Sequence, residues 1–153
     1  MNFLELKIPP GLLGLITALG MWVISWATPT FGFTLPGRFF ISAHLVLLGA
    51  AISIPAIVSF RRAKTTVNPT TPEAASSLVV SGIYKFTRNP MYLGMLLVLT
   101  AWTVYLANSL AFVLIPAFVL YMNRFQIRPE ERALESLFVR EFSAYKNRVR
   151  RWL

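Results

Sequence analysis

The sequence of 153 residues contains no cysteine, no aspartate and only one histidine, His44. The absence of cysteine excludes disulfides, thiolate zinc sites and cysteine nucleophiles. The absence of aspartate, together with the single histidine, excludes a Ser-His-Asp triad and most metal sites, so no metal is predicted. Any chemistry must therefore use glutamate, arginine, tyrosine, asparagine and backbone groups.

Charged residues are also scarce. They make up 14% of the chain against 56% for hydrophobic residues, and the net charge is +9. This balance is far from that of a soluble domain. The basic residues cluster beside apolar runs, which indicates a cytoplasmic membrane face and argues against a nucleic-acid partner. The length suits a single domain, residues 1–153.

Apolar segments predict an all-α integral membrane protein with four transmembrane helices. The predicted helices cover about residues 10–27, 37–60, 90–107 and 108–123. A span needs about 20 apolar residues, so the long stretch after residue 90 exceeds one span. Asn108 and Ser109 at its centre predict a tight helical hairpin, with Pro116 bending the second arm.

Lysine and arginine predict the orientation of these helices. The loop over residues 61–89 carries Arg61, Arg62, Lys64, Lys85 and Arg88, and the tail carries Arg124, Arg128, Arg132, Arg140, Lys146, Arg148, Arg150 and Arg151. The link between the first two helices carries only Arg38, and the hairpin turn carries no basic residue. By the positive-inside rule, both termini and the 61–89 loop are predicted to be cytoplasmic.

The tail over residues 129–152 predicts an amphipathic helix on the cytoplasmic side. Pro129 suits the first helical position, and Glu130 and Glu131 complement the helix dipole in the first turn. Apolar residues recur at three- and four-residue steps from Leu134 onward, with basic residues elsewhere.

The hairpin also predicts which polar segments meet. Its arms are antiparallel, so "YKFTRNPMY" before the first arm and "RPEERALE" after the second should be neighbours in space. Arg88 and Glu131 are therefore expected at one site, at the depth of the lipid headgroups.

Each polar residue also has a purely structural explanation. Lys85 and Arg88 could be positive-inside anchors, Tyr84 and Tyr92 could belong to an aromatic belt, and the Glu-Glu pair could only complement a helix dipole. His44 lies inside the second predicted span, where a hydrogen bond between helices is favoured over a functional role.

Two segments together resemble a known family. "GIYKFTRNPMYLG", a hydrophobic hairpin and then "RPEERALESLFVREFSAYKNRVRRW" are similar to the isoprenylcysteine carboxyl methyltransferase and phospholipid methyltransferase superfamily. Its members carry G-x-Y-x-x-x-R-[HN]-P-x-Y-x-G before the hairpin and a Glu-Glu pair after it. The resemblance covers about residues 61–153, and "TTVNP" ahead of the motif resembles small bacterial members. The first two helices match only as generic spans.

The resemblance implies an integral-membrane enzyme, in a bacterial inner membrane, that transfers a methyl group from S-adenosylmethionine. The cofactor-binding candidates by motif position are Tyr84, Arg88, Asn89, Pro90, Tyr92, Gly94, Glu130 and Glu131. Asn89 stands where many members have histidine, which puts a general base at this position in doubt. The catalytic residues stay open, with Arg88 and Asn89 as the best candidates.

The side chains suit this cofactor chemically. Arg88 can pair with its carboxylate, a glutamate can accept from ribose hydroxyls or the ammonium, and tyrosine rings can stack on adenine or contact the sulfonium. Gly94 would allow close approach of backbone or ligand. The acceptor is expected to be lipophilic and to enter from the lipid: an isoprenylcysteine-like carboxylate, a thiol or a lipid amine.

Two other functions remain open at this point. Membrane sterol reductases have a similar His/Asn-Pro-x-Tyr motif and use NADPH, although they are much longer. A non-enzymatic scaffold with a lipid-binding basic tail is the second alternative. The 61–89 loop is either a lid over the site or a linker.

Overall fold

The computed structural model describes residues 5–65 and 71–153, and about three quarters of these residues are helical. The α-helices are α1 (Pro10–Ala27), α2 (Arg38–Arg62), α3 (Pro90–Leu106), α4 (Leu114–Tyr121), α5 (Arg128–Leu137) and α6 (Val139–Arg148). A 3₁₀ turn, Leu110–Val113, precedes α4, and a π-helical segment, Met122–Ile127, joins α4 to α5. The part of the chain that is described contains no strand, only an isolated bridge between Gly32 and Asn108.

Three helices are long and apolar enough to cross a membrane. They are α1, α2 and a continuous helix, Leu110–Leu137, of 28 residues. Helix α3 is apolar but has only 17 residues. Large apolar side chains such as Trp26 (76% exposed) and Phe40 (68% exposed) cover the outside of the bundle. Such a surface suits contact with lipid better than contact with water.

The predicted division between a fourth helix ending near 123 and a tail helix starting at Pro129 is not what the structure shows. The helix continues through this region. Pro129 has no N–H to donate to the carbonyl of Phe125, four residues earlier, but that carbonyl accepts a hydrogen bond from another segment. The Leu6 N–H donates to Phe125 O at 3.0 Å. The predicted single tail helix over 129–152 is instead two helices, α5 and α6, separated at Phe138, whose φ of −124° and ψ of 52° are not helical.

Helices α2 and α3 pack closely through small residues. A Cβ built on Gly94 would lie 1.9 Å from Ser53 Oγ and 2.7 Å from Gly49 O. Gly49 and Ser53 therefore pack directly against the backbone of α3. Further along the same contact, Ser42 donates to Ala101 O at 2.9 Å. Small residues that allow such close approach are typical of helices packed in membranes.

The end of the bundle where α3 turns into the next helix is called the turn end. Ala107 has a φ of 50° and ends α3. The Asn108 side chain donates from Nδ2 to Thr28 O at 2.9 Å, and its Oδ1 accepts from the backbone N–H groups of Leu110 and Ala111 at 3.0 and 3.3 Å. One buried side chain thus ties the turn to the end of α1.

The opposite end, which carries Arg88 and Glu131, is called the cavity end. Here α6 folds back over the start of α3. Tyr145 donates to Tyr84 O at 2.7 Å, and the Arg88 N–H donates to Arg150 O at 3.0 Å. The last residues of the chain are therefore attached to the motif around Arg88.

Candidate functional site

A cavity of about 110 Å³ lies at the cavity end, between the end of α2, the segment before α3 and the two tail helices. Seven of the eight predicted site residues line it: Tyr84, Arg88, Asn89, Pro90, Tyr92, Glu130 and Glu131. Its other walls include the aromatic and apolar side chains Phe60, Leu78, Val79, Met91, Leu134, Phe142 and Tyr145. The cavity combines a polar cluster with aromatic surface.

Glu131 is held by two arginines. Arg88 Nη2 lies 2.8 Å from Glu131 Oε1, with the two side chains only 10% and 14% exposed. Arg151 donates from Nη2 to Glu131 Oε2 at 2.5 Å and from Nε to Oε1 at 3.1 Å. The predicted proximity of Arg88 and Glu131 is confirmed. Removing one partner of such a buried pair costs about 3–5 kcal/mol.

Arg88 also attaches the tail to the start of α3. Its Nη1 donates to Lys146 O at 3.0 Å and to Val149 O at 2.8 Å. Since Nη2 is used by Glu131, only Nε is left without a partner within the described residues. The predicted pairing of Arg88 with a cofactor carboxylate would therefore use Nε or require Glu131 to move.

Glu130 has a different environment. Its Oε1 accepts from the Tyr92 hydroxyl in a very short hydrogen bond and from Gln126 Nε2 at 2.5 Å. Both partners are neutral, whereas the partners of Glu131 are cations. The two adjacent glutamates are thus chemically distinct, and Glu130 is the one that holds a tyrosine of the motif.

Asn89 acts as a structural connector at the start of α3. Its Nδ2 donates to Arg151 O at 2.9 Å, and its backbone N–H donates to Thr87 Oγ1 at 3.2 Å. Thr87 in turn donates to the same Arg151 carbonyl at 3.2 Å. A side chain amide does not titrate, so the structure offers no base at this position. Pro90 follows directly and begins α3.

Gly94 does not line the cavity. Its Cα faces Gly49 and Ser53 of α2. Because Gly94 has no side chain, the backbones of α2 and α3 can approach each other here. Of the two roles predicted for this glycine, the structure shows the backbone contact.

Two buried polar atoms in the cavity wall have no hydrogen-bond partner among residues 5–65 and 71–153: the Tyr84 hydroxyl and Arg88 Nε. Burial raises the pKa of Tyr84 above its ordinary value of 10.0, so the phenol keeps its proton and can donate. Buried polar groups in proteins nearly always have a partner, and an exception needs an explanation such as a ligand.

His44 lies away from the site. Its Nδ1 is 2.7 Å from Phe40 O in the same helix, and the side chain is exposed. The predicted hydrogen bond between helices is wrong, because the carbonyl one turn earlier is within reach of the ring.

The loop before the motif contributes one wall of the cavity through Ala75, Ser77, Leu78 and Val79. Ser76 Oγ donates to Lys64 O at 3.3 Å, and Ser77 Oγ donates to Ala63 O at 3.3 Å. Residues 66–70, which include most of "TTVNP", lie outside the described residues. The lid role of this loop stays a prediction.

Arg151 and Tyr145 are the site residues that the sequence reasoning missed. Arg151 was counted only as one of many basic tail residues, although it contacts both Glu131 and, through its carbonyl, Asn89. The only available signal was its place beside Trp152, in the last turn of an aromatic-rich basic segment that the superfamily resemblance already covered.

Comparison with known proteins identifies the class of the chain as a membrane methyltransferase. The family model "Phospholipid methyltransferase" matches residues 37–141, which is more than half of the chain. The chain therefore belongs to the phospholipid methyltransferase family, and the superfamily predicted from the two motifs is confirmed.

Individual relatives agree with this assignment. Two rice proteins, from the indica and japonica subspecies of Oryza sativa, are both described as "Probable protein-S-isoprenylcysteine O-methyltransferase". Each is 32% identical over 113 residues, which is 72% of this chain and 58% of the rice protein. The chain thus spans just over half the length of these relatives. An "Uncharacterized protein" of Haemophilus influenzae is 54% identical over 63 residues, 41% of this chain and 100% of that protein. No solved structure shows a significant match.

Proposed function

We propose that the protein transfers a methyl group from S-adenosylmethionine to a lipophilic acceptor, with the cofactor bound at the cavity end. The observation that carries this proposal is the pair of unpartnered buried donors, Tyr84 Oη and Arg88 Nε, in a cavity lined by seven motif residues. Family membership supplies the reaction class.

The residues fit the chemistry of the cofactor. The two free donors suit its carboxylate, and the Glu130–Glu131 pair suits its ammonium and ribose hydroxyls. The rings of Phe60, Phe142 and Tyr145 in the walls suit the adenine. Ligand cavities usually measure about 300–1,000 Å³, so binding would require this cavity to widen. The wall from the loop before the motif is held to the residues just after α2 by three exposed hydrogen bonds, two of them at 3.3 Å and one at 3.0 Å, and we propose that this wall moves.

When bound, the cofactor supplies an electrophilic methyl group on a sulfonium. The chain would contribute orientation and the exclusion of water, which are enough for an in-line displacement by a carboxylate or a thiolate. Asn89 is a neutral amide and Arg88 acts only as a hydrogen-bond donor in the structure, so neither is proposed as a base. The proposed acceptor is therefore an isoprenylcysteine-like carboxylate, or a thiol that reaches the site already as its thiolate. A lipid amine ranks below these because it must lose a proton at the site.

The membrane arrangement is also proposed. We infer four spans, with α3 as the third and the continuous helix after the turn as the fourth. The last part of that helix, α5, extends beyond the apolar stretch, and α6 runs along the surface. Short α3 would cross the bilayer because α2, its main packing partner, holds it in place together with α1 and the continuous helix, which also contact it. By the positive-inside rule, the basic residues at the cavity end favour a cytoplasmic position for that end and for both termini, in a bacterial inner membrane.

Binding of S-adenosylhomocysteine to purified protein in detergent, measured by isothermal titration calorimetry, tests the site. Tyr84→Phe should weaken binding by about tenfold, because one hydrogen bond of about 1–1.5 kcal/mol is lost. The stability of this variant should not fall, since the hydroxyl has no partner without ligand. Tyr121→Phe is the matched control: its hydroxyl is also buried without a partner in the described residues, yet Tyr121 does not line the cavity.

Equal binding by Tyr84→Phe and the unmodified protein would contradict the proposed site. Titration with NADPH in the same experiment tests the reductase alternative, and absence of binding by both ligands would favour the scaffold. Incubation with a radiolabelled methyl donor and a membrane extract then identifies the acceptor.

A further inference from the structure

A second depression lies on the continuous helix, separate from the cavity, and has a volume of about 570 Å³. Its lining includes three arginines, Arg124, Arg128 and Arg151, with Asn123 between them and Ala117 and Leu120 as an apolar floor. This set of residues is called the arginine groove. We propose that the arginine groove binds an anionic phospholipid, with the phosphate on the arginines and an acyl chain on the floor. The proposal goes beyond methyl transfer and does not depend on it.

The charges at the groove are not balanced by the protein. Arg128 is exposed, and its side chain has no ion pair or hydrogen bond within the part of the chain that is described. Arg124 lies 3.8 Å from Glu5, but that carboxylate is nearer to Arg132, at 2.7 Å. Arg151 pairs with Glu131, which it shares with another arginine. Each nearby carboxylate thus serves two guanidinium groups, and a positive excess remains for an anion.

The order of residues along the helix matches the order of groups in a lipid. Ala117 and Leu120 belong to the apolar stretch of α4, and Leu120 is 69% exposed. Arg124 and Arg128 follow one and two turns later, at the end where basic residues accumulate. An acyl chain would lie against the first pair and a phosphate against the second. A soluble anionic partner would gain nothing from an apolar floor at the depth of the membrane.

Arg151 connects the groove to the proposed cofactor cavity. Its Nη1 is 3.5 Å from Asn123 Oδ1 on the groove side, while Nη2 and Nε hold Glu131. Because a change at Arg151 would disturb both places, the test uses Arg124 and Arg128, which contact no residue of the cavity in the structure.

Lipid is added to the full chain in detergent. Native mass spectrometry then measures how many lipids the chain retains after it is released from the detergent. Phosphatidylglycerol should bind more tightly than phosphatidylcholine with identical chains. Each arginine near an anionic lipid contributes about fivefold to affinity, so Arg124→Ala with Arg128→Ala should weaken phosphatidylglycerol binding about 25-fold. Arg128→Ala alone should weaken it about fivefold, and this variant breaks no contact of the fold.

The charge-matched control replaces Arg140 and Arg148, two exposed arginines of α6, by alanine. It should bind phosphatidylglycerol as the unmodified protein does. Equal retention of phosphatidylcholine, or an equal loss in the control variant, would overturn the proposal. Displacement of phosphatidylglycerol by inorganic phosphate at a comparable concentration would also overturn it, because the acyl chain would then contribute nothing. Binding of S-adenosylhomocysteine is measured separately, so failure here leaves the proposed methyl transfer standing.

Discussion

At the turn end, Asn108 is fully buried and uses both ends of its amide: Nδ2 donates to Thr28, and Oδ1 accepts from two backbone N–H groups. At the cavity end, Glu131 is just as well bonded, yet Tyr84 Oη and Arg88 Nε beside it have no partner in the described residues. Both ends thus join segments far apart in the chain through buried polar side chains, but only one leaves donors unused.

This difference separates a structural contact from a candidate site. Completely bonded polar groups stabilise one arrangement of the chain, whereas buried groups without partners cost free energy unless something else bonds to them. The cavity end also contains all the buried ion pairs found in the described ranges, while the turn end contains none. The following predictions test whether the two ends differ in this way, from the largest expected effect to the smallest.

The largest expected contrast is accessibility from the two sides of the membrane. The chain has no cysteine, so Ser109→Cys at the turn end and Ser143→Cys at the cavity end each introduce one thiol at an exposed position. In intact cells with a permeable outer membrane, an impermeant maleimide should label Ser109→Cys and leave Ser143→Cys unlabelled. In inverted vesicles the pattern should reverse. Labelling of both variants from the same side would contradict the proposed orientation.

Arg88→Ala should cause the largest loss of stability. It removes one of the two cations that pair with buried Glu131, and it removes the hydrogen bonds to the carbonyls of Lys146 and Val149. We therefore expect the free energy of unfolding to fall by about 3–5 kcal/mol. Unfolding in a denaturing detergent measures the change. Lys85→Ala, three residues earlier, removes an exposed cation without a partner in the described residues and should cost less than about 0.5 kcal/mol.

Gly94→Ala should separate α2 from α3 next to the cavity. The added methyl group would lie 2.7 Å from Gly49 O, a backbone atom that cannot turn away, so we expect a loss of about 2–3 kcal/mol. Gly11→Ala in α1 makes the same change where nothing lies within 4 Å. It should be neutral or stabilise the protein by up to about 1 kcal/mol, because alanine favours helix. Similar losses in both variants would show that the close approach is not what matters.

Asn108→Ala should destabilise the turn end without affecting the site. It leaves buried backbone groups without partners, for which we expect about 2 kcal/mol. Affinity for S-adenosylhomocysteine should be unchanged in the folded fraction. Ser109→Ala, at an exposed residue that donates only to Phe31 O, serves as the control and should cost under about 0.5 kcal/mol. Weakened cofactor binding in Asn108→Ala would mean that the two ends are not independent.

The sequence was informative wherever a property depends on local pattern and chain direction. Apolar length and the Asn108-Ser109 pair predicted the hairpin, and antiparallel arms then required Arg88 and Glu131 to meet. The sequence was uninformative where a hydrogen bond joins segments that are far apart in the chain. Pro129 looked like a helix start because nothing in the sequence shows that Leu6 N–H reaches Phe125 O.

Arg151 was missed for a related reason. In a tail with many basic residues, pairing with Glu131 depends on how α6 folds back at Phe138, and no periodicity in the sequence predicts that break. Gly94 was placed with the ligand because it belongs to the motif, whereas its environment is set by α2, some forty residues earlier in the chain. Pattern identifies which residues belong together, but tertiary packing decides which atoms they use.

The π-helical segment from Met122 to Ile127 sets the angular position of everything after it. A π turn contains one residue more than an α turn, so the helix beyond it is rotated relative to a regular α-helix. If the same residues adopted regular α geometry at unchanged length, Glu130 and Glu131 would turn about 100° around the axis, away from Tyr92 and Arg88. The direction of both carboxylates therefore depends on the wide turn that precedes them, and a substitution that converted this stretch to α geometry would misdirect them without altering either glutamate.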